Sequence, residues 1–316
     1  MSMSMSFELF KESMIQILQE DLGKDHTVLA DSVIKNNGVE LTGIIIKEEG
    51  NNASPTIYID ELYEEYKRGV SIKQLAQTVR KAYTENCFPE FVDLCRFHQY
   101  ETAKAQIAFK LVNREKNRRL LQKVPHRIVY DLAIVFYYTV NEPPFYGKAS
   151  ILITNAHLQH WKVSDETLYL NALENTPKLF PAQIQNMEDV MKNLLQKEIS
   201  ETETVDRTFN RLKKEVLGVD KIPLYVLTNN QKIQGAACML YPDVIKNFAI
   251  EMNQSLYILP SSVHEVILLA EDVNHNKESL LAMVTEINAT QVDECEVLAD
   301  SVYFYDLEKE VLERLC

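Results

Sequence analysis

VYDLAIVFYYTV, residues 129–140, is the stretch on which the fold turns. β-Branched and aromatic side chains crowd it, and its one charge, Asp131, stands near the start. A half-exposed strand would alternate apolar with polar residues. This run is apolar at every position from Leu132 to Tyr138, the pattern of a strand covered on both faces. It therefore belongs at the centre of a sheet. Pro125 sets off what precedes it, and the region from Pro89 to Val124 is expected to be helical, in two or three pieces. Downstream, Ala149 to Thr154 reads as a second strand. Ser164, Asp165 and Glu166 then supply the cap and negative first turn of a helix reaching about Asn175.

Further out, Phe7, Phe10, Met14 and Ile17 recur at helical spacing before Gly23, a natural stop. Thr27–Ile34 and Val39–Lys47 form a predicted hairpin about Asn36-Asn37-Gly38. Asp60 and Ser71 are candidate helix caps, the first helix ending near Lys67 and the second carrying Ile72, Leu75, Val79 and Tyr83. Residues 196–220 are charged and lack an apolar stripe, so a mobile segment is expected there. In the last third, strands are predicted at Leu224–Leu227, Ala236–Leu240, Leu256–Leu259, Val263–Ala270 and Val302–Tyr305. Helices are predicted after Pro242, from Lys277 to about Asn288, and at the charged C-terminus. The fold class is α+β: a mixed, largely antiparallel sheet with helices packed on it, preceded by a helix-rich N-terminal region. The expected division is 1–124, helix-rich with a β-hairpin, and 125–316, an α+β domain.

Apolar residues make up 46% of the 316 and charged residues 25%, which suffices for a full core and excludes wholesale disorder. A net charge of -13 repels phosphate backbones and argues against nucleic acid as a partner of the whole surface. The 8 glycines are scattered, so no phosphate-cradling loop, nucleophile elbow or dinucleotide fingerprint can be drawn, and no cofactor is expected. The 5 cysteines are odd in number and widely spaced, without a Cys-x-x-Cys pair, and read as reduced thiols. The first residues lack the features of a secretion signal, and the apolar run Leu132–Tyr138 is far shorter than the roughly 20 residues that span a bilayer. A cytoplasmic protein without a membrane span is expected, its partner either a protein or a small ligand.

Four groups of residues are candidates for chemistry. Ser261, Ser262, His264 and Glu265 could give a nucleophile, a base and an orienting carboxylate, though adjacency along a strand would turn neighbouring side chains to opposite sides. A strand-entry turn whose hydroxyls bind nearby backbone is the favoured reading of that group. Asn155 and His157, with His160 and Trp161, form a second group; two histidines at this spacing without a matching carboxylate do not define a metal site, and none is expected. Asn288 and Thr290 read as a polar loop or helix end that joins a ligand cleft only if the fold brings it beside Ser262. Last, eight basic residues from Lys104 to Arg127 face Glu115 alone, with Arg114, Arg118, Arg119 and Lys123 at the centre of the patch. Such a run can contact an anion or nucleic acid or lie as a solvated helix face; Phe109 is its one Phe, Tyr or Trp, too few to form a base-stacking surface.

Several strings have a familiar look: VPHRIVYDLAIVFYY from Val124, ITNAHLQHWKVSDETLYLNALENTPKLFP from Ile153, GAACMLYP from Gly235, LYILPSSVHEVILL from Leu256, and NATQV followed by VYFYD. Together they resemble the bacterial domain-of-unknown-function family numbered 5688, found mainly in gut Firmicutes. The likeness runs from NNGVELTG near the start to Tyr305. A weaker likeness is to the YtpQ-like proteins, also uncharacterised. The resemblance implies a bacterial cytoplasmic source and carries no activity or site residue with it. The expected function is a non-catalytic binding or regulatory role. The alternatives are a small hydrolase or transferase built on Ser262, His264 and Glu265, or an anion contact through the basic run.

Overall fold

The structure, a computed structural model, describes residues 5–49, 54–86, 95–140, 149–190, 192, 224–260, 262–271 and 277–315. Ser261 and the expected mobile segment 196–220 lie outside the described residues. The chain forms two compact units, one running to His98 and the other carrying most of the chain from Gln99 onward.

The first unit opens with α1 (Phe7–Leu22), capped by Ser6 at its start and by Gly23 at its end. The hairpin of β1 (His26–Ile34) and β2 (Glu40–Glu48) follows, in the antiparallel register His26 to Glu48, and β3 (Thr56–Tyr58) adds a third strand. Phe10, Met14 and Leu18 of α1 bury against Ile44 and Ile46 of β2 and against Leu75 and Val79 of α3 (Ile72–Asn86). Ser71 caps α3 through the Gln74 N–H. Asp60 does not cap α2 (Asp60–Lys67): it is the first helical residue, and its carboxylate instead accepts the Thr42 N–H from β2 at 2.8 Å. The short α4 (Cys95–His98) ends the unit.

The second unit holds two antiparallel sheets. Its elements begin with α5 (Tyr100–Ala103), β4 (Ile107–Asn113), α6 (Arg118–Leu121), β5 (His126–Val129), β6 (Leu132–Val140) and β7 (Ala149–Leu152). Every residue of β6 is buried. β4 lies along one edge of β6 over its length, while β5 and β7 share the other edge, β5 beside Leu132–Val135 and β7 beside Tyr137–Val140. The predicted strand Val129–Val140 is thus broken by a hairpin turn at Tyr130 and Asp131, where Tyr130 takes a positive φ of 57°. Ile107–Asn113 is a strand where a helix was expected. A strand as apolar as β6 needs a hydrogen-bonded neighbour on each edge, and IAFKLVN, buried except at Lys110, supplies one.

After α7 (Asn155–Trp161) and α8 (Asp165–Leu179) comes the larger sheet: β8 (Ala182–Asn186), β9 (Leu224–Asn229), β10 (Leu256–Leu259), β11 (Val266–Ala270), β12 (Tyr303–Asp306) and β13 (Val311–Arg314). Its order is β13-β12-β10-β11-β9-β8, with each adjacent pair antiparallel. Between β9 and β10 the chain crosses over through α9 (Val244–Met252), and β11 then fills the gap between them. Phe248 of α9 meets Tyr225 edge to face at 4.9 Å. α10 (Lys277–Thr290) covers the other face, setting Leu280 and Val284 against Tyr257, Leu259 and Leu269. Gly235–Leu240 is a buried 3-10 segment where a strand was expected, and β13 replaces the predicted terminal helix because Val311–Arg314 pairs along β12.

At the β5–β6 turn, the Asp131 carboxylate accepts hydrogen bonds from Ser301 Oγ and Tyr303 Oη. Arg314 Nε lies 3.5 Å from the same carboxylate and donates to Ser301 Oγ at 3.1 Å, and Tyr130 Oη donates to the Leu312 carbonyl. This network latches the smaller sheet to the β12–β13 end of the larger one. Burial pushes the fully buried Tyr303 phenol well above its ordinary range, and the Asp131 hydrogen bond and charge push it further. A phenol raised in the folded state stabilises the fold below about pH 10 and loses that contribution as pH rises past it, at about 1.4 kcal/mol per pH unit. Tyr303→Phe is expected to cost about 1–2 kcal/mol near neutrality. It should also flatten the decline above about pH 10; urea unfolding across that range measures both effects.

Candidate functional site

β11 begins at Val266 and not at Val263, so the polar residues before it form a turn. Ser262 is buried, and its Oγ accepts the His264 backbone N–H at 3.0 Å. The Ser262 N–H donates to the Glu265 carbonyl at 3.4 Å. On the His264 ring, Nδ1 accepts the Gln234 backbone N–H at 3.3 Å, and Nε2 lies 3.3 Å from Glu296 Oε1. An acceptor Nδ1 fixes the proton on Nε2, where it is donated to Glu296. Both ring nitrogens are therefore occupied, and neither bonds to the Ser262 hydroxyl. The carboxylate that orients His264 is Glu296; Glu265 contributes its backbone carbonyl.

A general base needs a free ring nitrogen, and an activated serine needs its hydroxyl on that base. Among the described residues of this turn, neither is present. Its surroundings are tight: Thr228 Oγ1 donates to the His264 carbonyl at 2.8 Å, and a Cβ on Gly235 would stand 2.2 Å from that hydroxyl and 2.5 Å from that carbonyl. Gly235 thus holds a position no side chain can share.

Asn155 opens α7, its N–H donating to the Lys123 carbonyl at 3.0 Å and its side-chain amide to the Gln122 carbonyl at 3.3 Å. His157 Nδ1 accepts the Thr154 N–H at 3.1 Å, completing a capping box with Thr154. Burial, and then the neighbouring His160, hold its pKa below the ordinary histidine range. Asn288 lies inside α10 and not in a loop, donating to the Ala299 carbonyl at 2.9 Å and to Asp300 Oδ1 at 2.8 Å. Thr290 donates back to the Glu286 carbonyl. None of these bonds reaches Ser262. Among the described residues no group of three or more His, Cys, Asp or Glu side chains could hold a metal ion, and no helix is long and apolar enough to cross a membrane.

The basic run is not one helical stripe. Lys104 pairs with Glu101 ahead of β4, and Lys110 sits on β4. Arg127, on β5, turns to Asp165 and Glu166 at the start of α8 and lies over the Tyr169 ring. Arg114, Arg118, Arg119 and Lys123 remain together on the β4–β5 connection. There, Arg114, Glu115, Arg118, Leu121, Gln122, His126 and Ile128 line an open cleft of about 440 Å³, within which Glu115 pairs with Arg118. Asn155 of the second group thus steadies the Gln122–Lys123 turn beside it. Arg114 has no ion-pair partner among the described residues.

The cleft floor is the outer strand of the sheet. The two-residue turn makes Val129 and Leu132 the pair that exchanges both backbone hydrogen bonds, and alternation then gives Arg127 and Ile134 the next such pair. The N–H and C=O groups of His126 and Ile128 consequently point away from β6, toward an edge that no other strand covers among the described residues.

A family model described as "Family of unknown function (DUF5688)" matches residues 7–307. Neither a curated protein nor a solved structure matches the chain.

Gly235→Ala is expected to cost about 3 kcal/mol or more, since the new methyl meets backbone and a buried hydroxyl. Serine at this site would be no better tolerated, whereas the exposed Gly69→Ala would cost far less despite its positive φ of 103°; thermal unfolding of the three variants measures this. For His157 the sign is the reverse of the tyrosine case. A lowered folded pKa gives stability that is present above about pH 6.5 and declines as pH falls below it. The unfolding midpoint should therefore drop on acidification in the parent protein and drop less in His157→Gln.

Proposed function

The chain belongs to DUF5688, a family of unknown function, and from that premise we propose a non-catalytic binding protein whose contact site is the cleft beside β5. The observation that carries this reading is the cleft itself, where Arg114 and the Arg118–Glu115 pair surround strand backbone that no other strand covers among the described residues. Its volume of about 440 Å³ falls in the range of ligand-binding clefts. The engaged state of Ser262 and His264 supports the absence of catalysis at that turn. Cys238 is a buried free thiol, and the 5 cysteines are odd in number and hold no Cys-x-x-Cys pair, in keeping with a reducing interior. That, with the resemblance to Firmicutes sequences, supports a bacterial cytoplasmic setting. A protein of net charge -13 with a local basic cleft favours a compact anionic ligand over a nucleic acid that must run across the acidic remainder.

The test is thermal unfolding against a panel of glutamate-rich peptide, inorganic phosphate, citrate, polyphosphate and single-stranded RNA, run beside turnover assays on esters, phosphates and peptides. At least one acidic ligand should stabilise the fold, by about 2–3 kcal/mol near a hundredfold excess over its Kd. Arg114→Glu with Arg118→Glu should remove that gain, and added salt should weaken it. Turnover that Ser262→Ala or His264→Ala abolishes would refute the reading, as would binding indifferent to both arginine changes.

A further inference from the structure

We infer that the ligand of the cleft is an extended acidic peptide segment that adds to β5 as a further strand; this rests on the cleft being the binding site. Two independent features meet there. His126 and Ile128 offer outward N–H and C=O groups, the row of donors and acceptors that an incoming strand needs. The same two residues line the cleft, and Ile128 is 44% exposed, an apolar surface beside backbone groups that no other strand covers among the described residues.

Charge selects the occupant. His126 and Ile128 stand opposite Val135 and Ala133, so their side chains lie on the face of the sheet that buries Leu121 of α6, and Arg114 and Arg118 rise from the connection above them. An incoming strand would present every second side chain to Arg114, which has no ion-pair partner among the described residues, and to Arg118, which shares its charge with Glu115 of the same lining. Its other side chains would meet the opposite face, where Arg127 is already matched by Asp165 and Glu166. Carboxylates there would be repelled. The complementary segment therefore alternates acidic with neutral, strand-forming residues. A second copy of this chain is a poor occupant, because its own β5 edge would bring the same arginines against these.

The decisive variant is Ile128→Pro. Proline removes the one N–H that faces outward from the middle of β5 and leaves the hydrogen-bonded Arg127 and Val129 positions intact, so an edge strand tolerates it. The probe is a capped peptide alternating Glu with Val, compared with its Lys counterpart, with a version N-methylated at alternate residues, and with inorganic phosphate and citrate. The Glu peptide should bind and the Lys peptide should not. Affinity should fall about tenfold or more with Ile128→Pro, with N-methylation, and with Arg114→Glu and Arg118→Glu together. N-methylation acts on the peptide alone and keeps the test decisive if Ile128→Pro disturbs folding. Phosphate or citrate binding that depends on the arginines while the Glu peptide fails, or is unaffected by N-methylation, would overturn strand addition and leave the anion cleft standing. Peptide binding untouched by the arginine changes would overturn the cleft as the site as well.

Discussion

β6 is the constraint from which the second unit follows. A strand buried along its whole length can reach water neither with its side chains nor with its backbone, so each edge must be hydrogen-bonded and each face covered. β4 satisfies one edge in a single continuous pairing. The other edge is satisfied piecewise, by β5 before the turn at Tyr130 and by β7 on the chain's return, with the Ile153 N–H donating to the Phe136 carbonyl just beyond β7. Dividing an edge between two short strands leaves each with an outer side of its own. That no further strand covers β5 among the described residues is thus a consequence of how β6 is completed.

The polar chemistry of the unit sorts by whether it is closed on itself. Asp131 receives hydroxyls from Ser301 and Tyr303 with Arg314 beside it, and His264 is held between the Gln234 N–H and Glu296. The Ser301 and Tyr303 hydroxyls and the Gln234 N–H each have an acceptor there, and what these knots contribute is the relative position of the strands that bear them. The β4–β5 connection is different. Its arginines outnumber the one acid among them, in a molecule that is acidic as a whole.

β6 could be read from composition because a doubly covered strand has no polar face, and α1, the first hairpin and α8 could be read because caps and turn residues mark their ends. β4 was hidden by Lys110 and by the basic residues around it, which imitate a solvated helix; its burial follows from β6, a tertiary cause that no local window contains. β13 was hidden likewise, because a short charged segment becomes a strand only when an edge is offered to it. The partner of His264 was out of reach too, since Glu296 lies 32 residues away across a sheet connection. At the cleft, Arg114 and Arg118 were legible as charge. Gln122, His126 and Ile128 were not, although HRIV running into a two-residue turn carries the signal of an outer hairpin strand.

Cations beside an exposed strand edge admit a competing explanation: charged side chains protect sheets from pairing with their neighbours. Protection and recognition make different demands on where the charge stands. A guard works best when its charge points along the edge itself, so that any approaching strand must desolvate it. Arg114 and Arg118 lie on the connection over one face, and Ile128 on the edge is an exposed apolar residue, which invites a strand. On the opposite face Arg127 is neutralised by Asp165 and Glu166 and guards nothing. Charge disposed in this way excludes like-charged strands, including another copy of this edge, while lowering the free energy of an acidic one. The edge is therefore selective where a guarded edge would be closed to all.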